Sequence, residues 1–113
     1  MREMLELGLI TRSPRLAVIQ AAGSAPFYEL WKSPQRAKLL PVERPETLAT
    51  AIRIGNPASG RKALKAVYDT GGLMTAVSDR EIIDAQFLFG RKEGVGVEPA
   101  SAASLAGLKR LLD

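Results

Sequence analysis

Apolar runs rich in branched residues alternate along this chain with segments of helical periodicity, and this alternation limits the fold more than any other feature. The run "RLAVIQAAG", bounded by Pro14 and Gly23, predicts a buried strand over about Leu16 to Ala21. "LMTAV" predicts a second strand and "VGV", at 95–97, a brief third. Strands joined through helices form parallel sheets covered by those helices. We therefore predict an α/β fold, with a parallel sheet and flanking helices.

Two helices are predicted in the first half of the chain. In "SAPFYELWKS", Ser24 is a candidate N-cap and Pro26 lies in the first helical turn. "PETLATAIRIGNP" begins like a helix at Pro45 and Glu46, and we expect that helix to break at Gly55. The intervening "SPQRAKLLPVERP" is rich in proline and predicts a loop.

The second half carries three clearer helix signals. "SGRKALKAVYDTGG" has apolar residues at helical spacing and a glycine pair as its stop. "SDREIIDAQFLFGRKEG" opens with a capping box formed by Ser78 and Glu81, and it ends at Gly94. Pro99 begins a last helix, which reaches Asp113 without a glycine, asparagine or proline to end it. That ending and the few readable strands suggest that residues 1–113 are part of a larger domain.

Composition excludes several kinds of chemistry. The chain has 113 residues, 46% hydrophobic and 25% charged, which is typical of one globular domain. It contains no cysteine and no histidine. Disulfides, thiolate metal sites and every Ser-His or Cys-His nucleophile are therefore excluded. We predict no metal site, and any chemistry must come from carboxylates, lysine, arginine or a cofactor.

The charge distribution argues against nucleic acid and membrane as partners. The formal net charge is +4, but the basic residues are scattered among acids and aromatic residues make up only 5%. The opening "MREMLELGLITR" is too charged for a signal peptide, and no apolar run approaches the roughly 20 residues of a membrane span. We expect a soluble, cytoplasmic protein.

Three stretches are candidates for a functional site. In "AIRIGNP", Gly55 and Asn56 could adopt positive φ and let the backbone approach a ligand, although the residues alone favour a turn that ends a helix. In "VEPAS", Glu98 follows a predicted strand and precedes a helix, the usual ligand edge of an open α/β sheet. The alternative is a surface carboxylate that interacts with the helix dipole. "ASAASLAG" is explained by close packing alone.

Taken in order, "PETLATAIRIGNPASGRKALKAVYDTGG", "AVSDREIIDAQ" and "EGVGVEPASAASLAGL" resemble the later part of the catalytic large domain of the threonine synthase family. The resemblance runs from about Leu7 to the end. It implies a tryptophan-synthase-like fold and a pyridoxal 5'-phosphate enzyme. That family converts O-phosphohomoserine and water to threonine and phosphate, with the cofactor as electron sink.

The resemblance also assigns site residues. The family's positions near the cofactor ring correspond to Ala51, Ile54, Gly55 and Asn56, and its active-site glutamate corresponds to Glu98. The implied role of these residues is to line and orient, not to form a covalent bond. Threonine dehydratases and cysteate synthases share the fold and are the alternatives within this class, and a remnant that only binds a partner chain is the alternative outside it.

Three segments of the family's cofactor site have no counterpart in this chain. They are the segment with the Schiff-base lysine, the glycine-rich phosphate loop and the segment that meets the pyridine nitrogen. Lys62 and Lys65 lie on a charged helix face, which does not favour the desolvated amine that such a bond requires. We expect an internal piece of the enzyme that retains no cofactor alone, and that forms a homo-oligomer or associates with the missing segments.

Overall fold

The computed structural model describes residues 2–33, 35 and 38–113. Within this part the chain has two strands, five α-helices and one 3-10 turn. In chain order these are α1 (Arg2–Glu6), β1 (Ala17–Ala21), α2 (Pro26–Lys32), the 3-10 turn (Thr50–Ile52), α3 (Gly60–Asp69), β2 (Leu73–Val77), α4 (Asp79–Glu93) and α5 (Pro99–Leu112). None of the helices in the described ranges is both long and apolar enough to cross a membrane.

The two strands pair in parallel, which confirms the predicted α/β architecture. Ala17 lies opposite Leu73 and Ala21 lies opposite Val77. Successive side chains of a strand point to opposite faces, so each strand contributes to a core on both sides of the sheet. The two cores are built differently.

The core on one face lies between the sheet and helices α4 and α5. Its buried residues are mostly alanines: Ala21, Ala49, Val77, Ile82, Ala85, Ala102, Ala103 and Ala106. Small side chains let α5 approach the sheet so closely that a Cβ on Gly107 would overlap the side chain of Ile19. The stretch "ASAASLAG" therefore has the packing role that its composition predicts.

The core on the other face involves larger side chains from α2 and α3. Phe27, Val67 and Met74 are buried there. Leu16, Val18, Trp31, Leu39, Ala63 and Leu64 pack against them. The sheet is therefore covered by helices on both faces, as expected for parallel strands.

Helix α4 begins and ends where the sequence predicts. The Ser78 hydroxyl oxygen accepts from the Glu81 backbone N–H at 3.2 Å, and the Glu81 carboxylate accepts from the Ser78 backbone N–H at 2.7 Å. Gly94 is the C-cap. The predicted start of α5 at Pro99 is confirmed as well, and α3 ends at Asp69, shortly before the glycine pair that was predicted to stop it.

The predicted cap of α2 is wrong. Ala25, not Ser24, occupies the N-cap position, and no side chain from that position caps the helix. Instead, the side-chain carbonyl of Gln20 accepts from the backbone N–H groups of Phe27 at 2.9 Å and Tyr28 at 3.1 Å. A residue of β1 therefore satisfies the first amides of α2, and Ser24 is left buried.

Two further element predictions are wrong. Residues 45–55 form no α-helix but only the 3-10 turn, because side chains bond the backbone N–H groups of Leu48 and Ala49 and so compete with helical hydrogen bonding. Residues 95–97 form no strand. The Gln86 side-chain amide donates to the Val97 carbonyl at 2.7 Å, so this carbonyl bonds to α4 and not to a neighbouring strand.

Candidate functional site

A closed loop, residues 42–55, crosses the carboxyl end of the sheet. The Val42 N–H donates to the Gly55 carbonyl at 3.0 Å, which brings the two ends of the loop together. The Glu46 N–H donates to the carbonyl of Gly23, just beyond β1, also at 3.0 Å. A compact loop whose ends meet has the character of an Ω-loop, a form that is frequently functional. We call residues 42–55 the edge loop.

Two glycines allow the backbone segments of this region to touch. A Cβ on Gly23 would overlap the carbonyl oxygen of Glu46, and a Cβ on Gly55 would overlap that of Val42. The sequence suggested positive φ at Gly55 and Asn56, but neither residue has it. Gly55 is thus needed for a close approach within the edge loop itself.

An aspartate just beyond β2, the first residue of α4, holds the middle of the edge loop. The Thr47 hydroxyl donates to Asp79 Oδ1, and the Leu48 N–H donates to Asp79 Oδ2 at 3.0 Å. Asp79 was not identified from the sequence. The available signal was an acidic residue just after a strand, at the edge where parallel sheets bind ligands, but partners more than thirty residues away could not be read from the sequence.

The structure places most of the predicted site residues at the surface. Ala51 lies in the 3-10 turn and is exposed, as is Asn56, and the side chain of Ile54 is 52% exposed. Gly55 is buried. Glu98 is exposed at the N-cap of α5, where its side chain makes no capping hydrogen bond.

Packing brings the edge loop and the start of α5 to the same part of the molecule. Ile52, which follows Ala51, packs against the alanine-rich core. Val97, which precedes Glu98, packs against the same core. The edge loop and the segment that leads into α5 therefore pack against the same hydrophobic core. This places Glu98 and the exposed residues of the edge loop in the same part of the molecule.

The first turn of α4 carries the main electrostatic feature near this edge. The pKa of Glu81 is lowered, first because the Ser78 backbone N–H and then its hydroxyl donate to the carboxylate, while partial burial opposes this effect. Arg110 of α5 adds to the lowering, with its Nη1 atom 2.7 Å from Glu81 Oε1. This ion pair connects α4 with α5.

The lysines and acids of the described residues limit what the site can hold. All six lysines, Lys32, Lys38, Lys62, Lys65, Lys92 and Lys109, are exposed. Lys65 forms a surface ion pair with Asp69 at 2.7 Å. Over residues 2–33, 35 and 38–113, no three potential metal-binding side chains come together.

Comparison with known proteins defines the class. Residues 3–113 match the family of pyridoxal-phosphate dependent enzymes, and the chain belongs to that family. Within it, the chain is similar to threonine synthases: 53% identical over 107 residues to that of Methanocaldococcus jannaschii, 51% over 112 to that of Methanosarcina acetivorans and 50% over 111 to that of Mycobacterium tuberculosis. These matches cover 94%, 99% and 98% of this chain. The resemblance read from the sequence is confirmed.

The same matches cover only 26%, 27% and 28% of the relatives. The chain thus spans about a quarter of the length of the curated proteins it matches. The exposure of the lysines agrees with this partial coverage. A pyridoxal phosphate bound through a lysine needs an amine in a desolvated pocket, and every lysine of this chain is exposed. The residues present do not fit the whole cofactor.

Proposed function

We propose that this chain is part of a threonine synthase, which converts O-phosphohomoserine and water to threonine and phosphate with pyridoxal 5'-phosphate. The observation that carries the proposal is about 50% identity to threonine synthases over nearly the whole chain. In such enzymes the cofactor serves as the electron sink. Because the chain matches only about a quarter of each of these enzymes, we assign it only one side of the cofactor site.

In this proposal the edge loop supplies part of the wall beside the cofactor ring. Ala51, Ile54, Gly55 and Asn56 are its lining residues. Its position supports this role, since ligands of open α/β sheets bind beyond the carboxyl ends of the strands. The half-exposed side chain of Ile54 offers an apolar surface, and the backbone at Gly55 is held rigidly against Val42.

Glu98 is the residue to which we assign a catalytic role. Its carboxylate is exposed and makes no capping hydrogen bond to α5, so it is available to a bound ligand. A carboxylate near a bound ring influences the protonation of the ring and of the groups attached to it. We assign this influence to Glu98 in the complete enzyme.

The partner that this proposal requires is the remainder of the enzyme, or a second copy of the chain. Each strand has one neighbour among the described residues, and the other edge of each strand presents backbone groups that a further strand can pair with. Large apolar side chains are also exposed, including Leu9 at 67% and Phe87 at 62%. The molecular mass measured under non-denaturing conditions distinguishes a monomer from a self-associated chain.

The function is tested in a chimera of the Methanocaldococcus jannaschii relative, in which the matched part of this chain replaces the corresponding residues of that enzyme. We expect the purified chimera to release phosphate from O-phosphohomoserine and to form threonine. Deamination of threonine without phosphate release would favour a dehydratase instead. A folded, cofactor-loaded chimera with neither activity would contradict the proposal.

The role of Glu98 is tested in the same chimera. Glu98→Gln keeps the shape of the side chain and removes its charge. We expect turnover to fall at least about tenfold, with an unchanged thermal midpoint. Glu93→Gln is the matched control, because Glu93 is also exposed but lies at the end of α4, and it should retain turnover. Unchanged turnover in Glu98→Gln would return Glu98 to a surface role.

A further inference from the structure

We propose that Asp79 is the positioning residue of the edge loop, fixing the residues that line the proposed cofactor site. The identity of the ligand rests on the proposed function, but the positioning itself concerns contacts within this chain. Asp79 is the first residue of α4 and lies two positions beyond the end of β2. It therefore projects from the rigid junction of a strand and a helix.

Both carboxylate oxygens of Asp79 are used by the edge loop. Oδ1 accepts from the Thr47 hydroxyl and Oδ2 accepts from the Leu48 N–H at 3.0 Å. Among the described residues, Asp79 forms no ion pair with a basic side chain. Its charge is thus satisfied by two neutral donors of one segment, and hydrogen bonds to a charged group are among the stronger kinds.

A series of hydrogen bonds continues from Asp79 to the lining residues. The buried Thr47 hydroxyl donates to Asp79 and accepts from the Ala49 N–H at 3.1 Å. The Ala49 carbonyl accepts from the Ile52 N–H at 3.0 Å, and the Ile52 carbonyl accepts from the Ile54 N–H at 2.9 Å. Each step fixes the next part of the backbone, so Asp79 sets the position of the segment that contains Ala51 and Ile54 by way of these bonds.

The other anchors of the edge loop act elsewhere. The bond between Val42 and Gly55 closes its ends, and the bond between Glu46 and Gly23 holds its first half. Asp79 holds the second half, between Thr47 and the 3-10 turn. Without it, this half would keep the buried Ala49 side chain but lose its polar attachment to the junction of β2 and α4.

An alternative role for Asp79 is electrostatic support of α4, since acidic residues stabilise the first turn of a helix. Substitutions at Thr47 separate the two roles because they leave α4 unchanged. Thr47→Val keeps the shape and removes the hydroxyl, whereas Thr47→Ser keeps the hydroxyl. Asp84→Asn is the matched control in α4, because Asp84 is exposed and, within the described ranges, bonds to Arg80 of the same helix and not to the edge loop.

The test is amide hydrogen exchange, followed residue by residue on the full chain without cofactor. We expect the amides of Leu48, Ala49 and Ile52 to exchange at least about tenfold faster in Asp79→Asn. Those of Ala49 and Ile52 should do the same in Thr47→Val and return to their original rates in Thr47→Ser. The amides of β2 should keep their exchange rates in all of these variants. Asp84→Asn should leave the exchange rates of the edge-loop amides unchanged.

Unchanged exchange of these amides in Asp79→Asn and Thr47→Val would overturn the proposal. Faster exchange confined to the first turn of α4 would also overturn it, in favour of the electrostatic role. The result is independent of catalysis. If the exchange pattern is as expected but the chimera described above releases no phosphate, the positioning role stands and the proposed function fails.

Discussion

Ser24 is a residue whose hydroxyl has no evident use in the fold. It is fully buried, and its Oγ finds no hydrogen-bond partner within the described part of the chain. An unsatisfied buried polar group costs about 1–3 kcal/mol. We therefore expect Ser24→Ala to leave the free energy of unfolding unchanged or to raise it by about 1 kcal/mol.

Denaturant midpoints measure this effect. Ser59→Ala is the control, because Ser59 lies at the N-cap position of α3, is exposed and makes no capping bond, so its loss should change little. A Ser24→Ala variant destabilised by more than about 1 kcal/mol would show that the hydroxyl is bonded after all.

Ser78 shows the opposite behaviour, because both its backbone and its side chain are bonded to Glu81. We expect Ser78→Ala to lower the free energy of unfolding by about 1 kcal/mol, the usual cost of losing a cap. Urea unfolding at constant slope provides the measurement. Ser104→Ala, on the exposed side of α5, should stay within about 0.5 kcal/mol of the unaltered protein. An equal effect of the two substitutions would contradict the capping box.

The lowered pKa of Glu81 makes stability depend on pH. Since the folded state binds the proton less readily than the unfolded state, the contribution of Glu81 is complete above the ordinary glutamate value of 4.5. It is lost as the pH falls below that value through the lowered folded-state pKa. We expect Glu81→Gln to flatten the decline of the thermal midpoint between about pH 5 and pH 3. An identical decline in both proteins would show that Glu81 is not responsible.

The separation of hydrogen-bonded partners along the chain determined which residues could be identified from the sequence. Ser78 and Glu81 are three positions apart, so their capping box is a local pattern, and it was predicted correctly. Gln20 and Asp79 bond to residues that only the fold brings near, and both were missed. Glu98 was found through its motif and its place before a helix, and its role stays a prediction.

At the scale of elements, the close contact between α5 and the sheet depends on the absence of a side chain at Gly107. Gly107 faces Ile19 so closely that any Cβ would overlap it, whereas Gly90 of α4 has no atom within 4 Å of the corresponding position. The two glycines share a helical backbone but differ in their surroundings. They form a matched pair for testing how closely α5 packs.

We expect Gly107→Ala to destabilise the protein by about 1–3 kcal/mol, because an added methyl overpacks the core. Gly90→Ala should stabilise it by about 0.4–1 kcal/mol through its effect on the unfolded chain. The thermal midpoints of both variants, compared with that of the unaltered protein, measure these effects. Equal stabilisation in the two cases would mean that α5 does not pack closely on Ile19.

Elements with strong local signals were predicted well, and those that depend on tertiary contacts were not. Both strands of the sheet, the end of α3 and the starts of α4 and α5 follow from periodicity, the capping box, the glycine stop and Pro99. The helix expected at Pro45 is replaced by the edge loop, because Thr47 and Asp79 take its backbone donors. The third strand, "VGV", is an irregular segment whose last carbonyl bonds to Gln86.

At the scale of the whole molecule, the described residues form a helix-covered sheet of two strands, and the chain matches about a quarter of each relative. Its candidate site residues lie on the edge loop and at the start of α5, while its lysines lie at the surface. We propose that this chain supplies one side of a cofactor site that the remainder of the enzyme completes.

Cofactor retention tests this claim most directly. The isolated chain and the chimera are each incubated with pyridoxal phosphate and dialysed, and the absorbance of the protein-bound cofactor is then recorded at the edge of the visible range. We predict stoichiometric retention by the chimera and only weak, exchangeable binding by the isolated chain, because exposed lysines offer no desolvated amine. Stoichiometric cofactor that survives dialysis on the isolated chain would contradict the account.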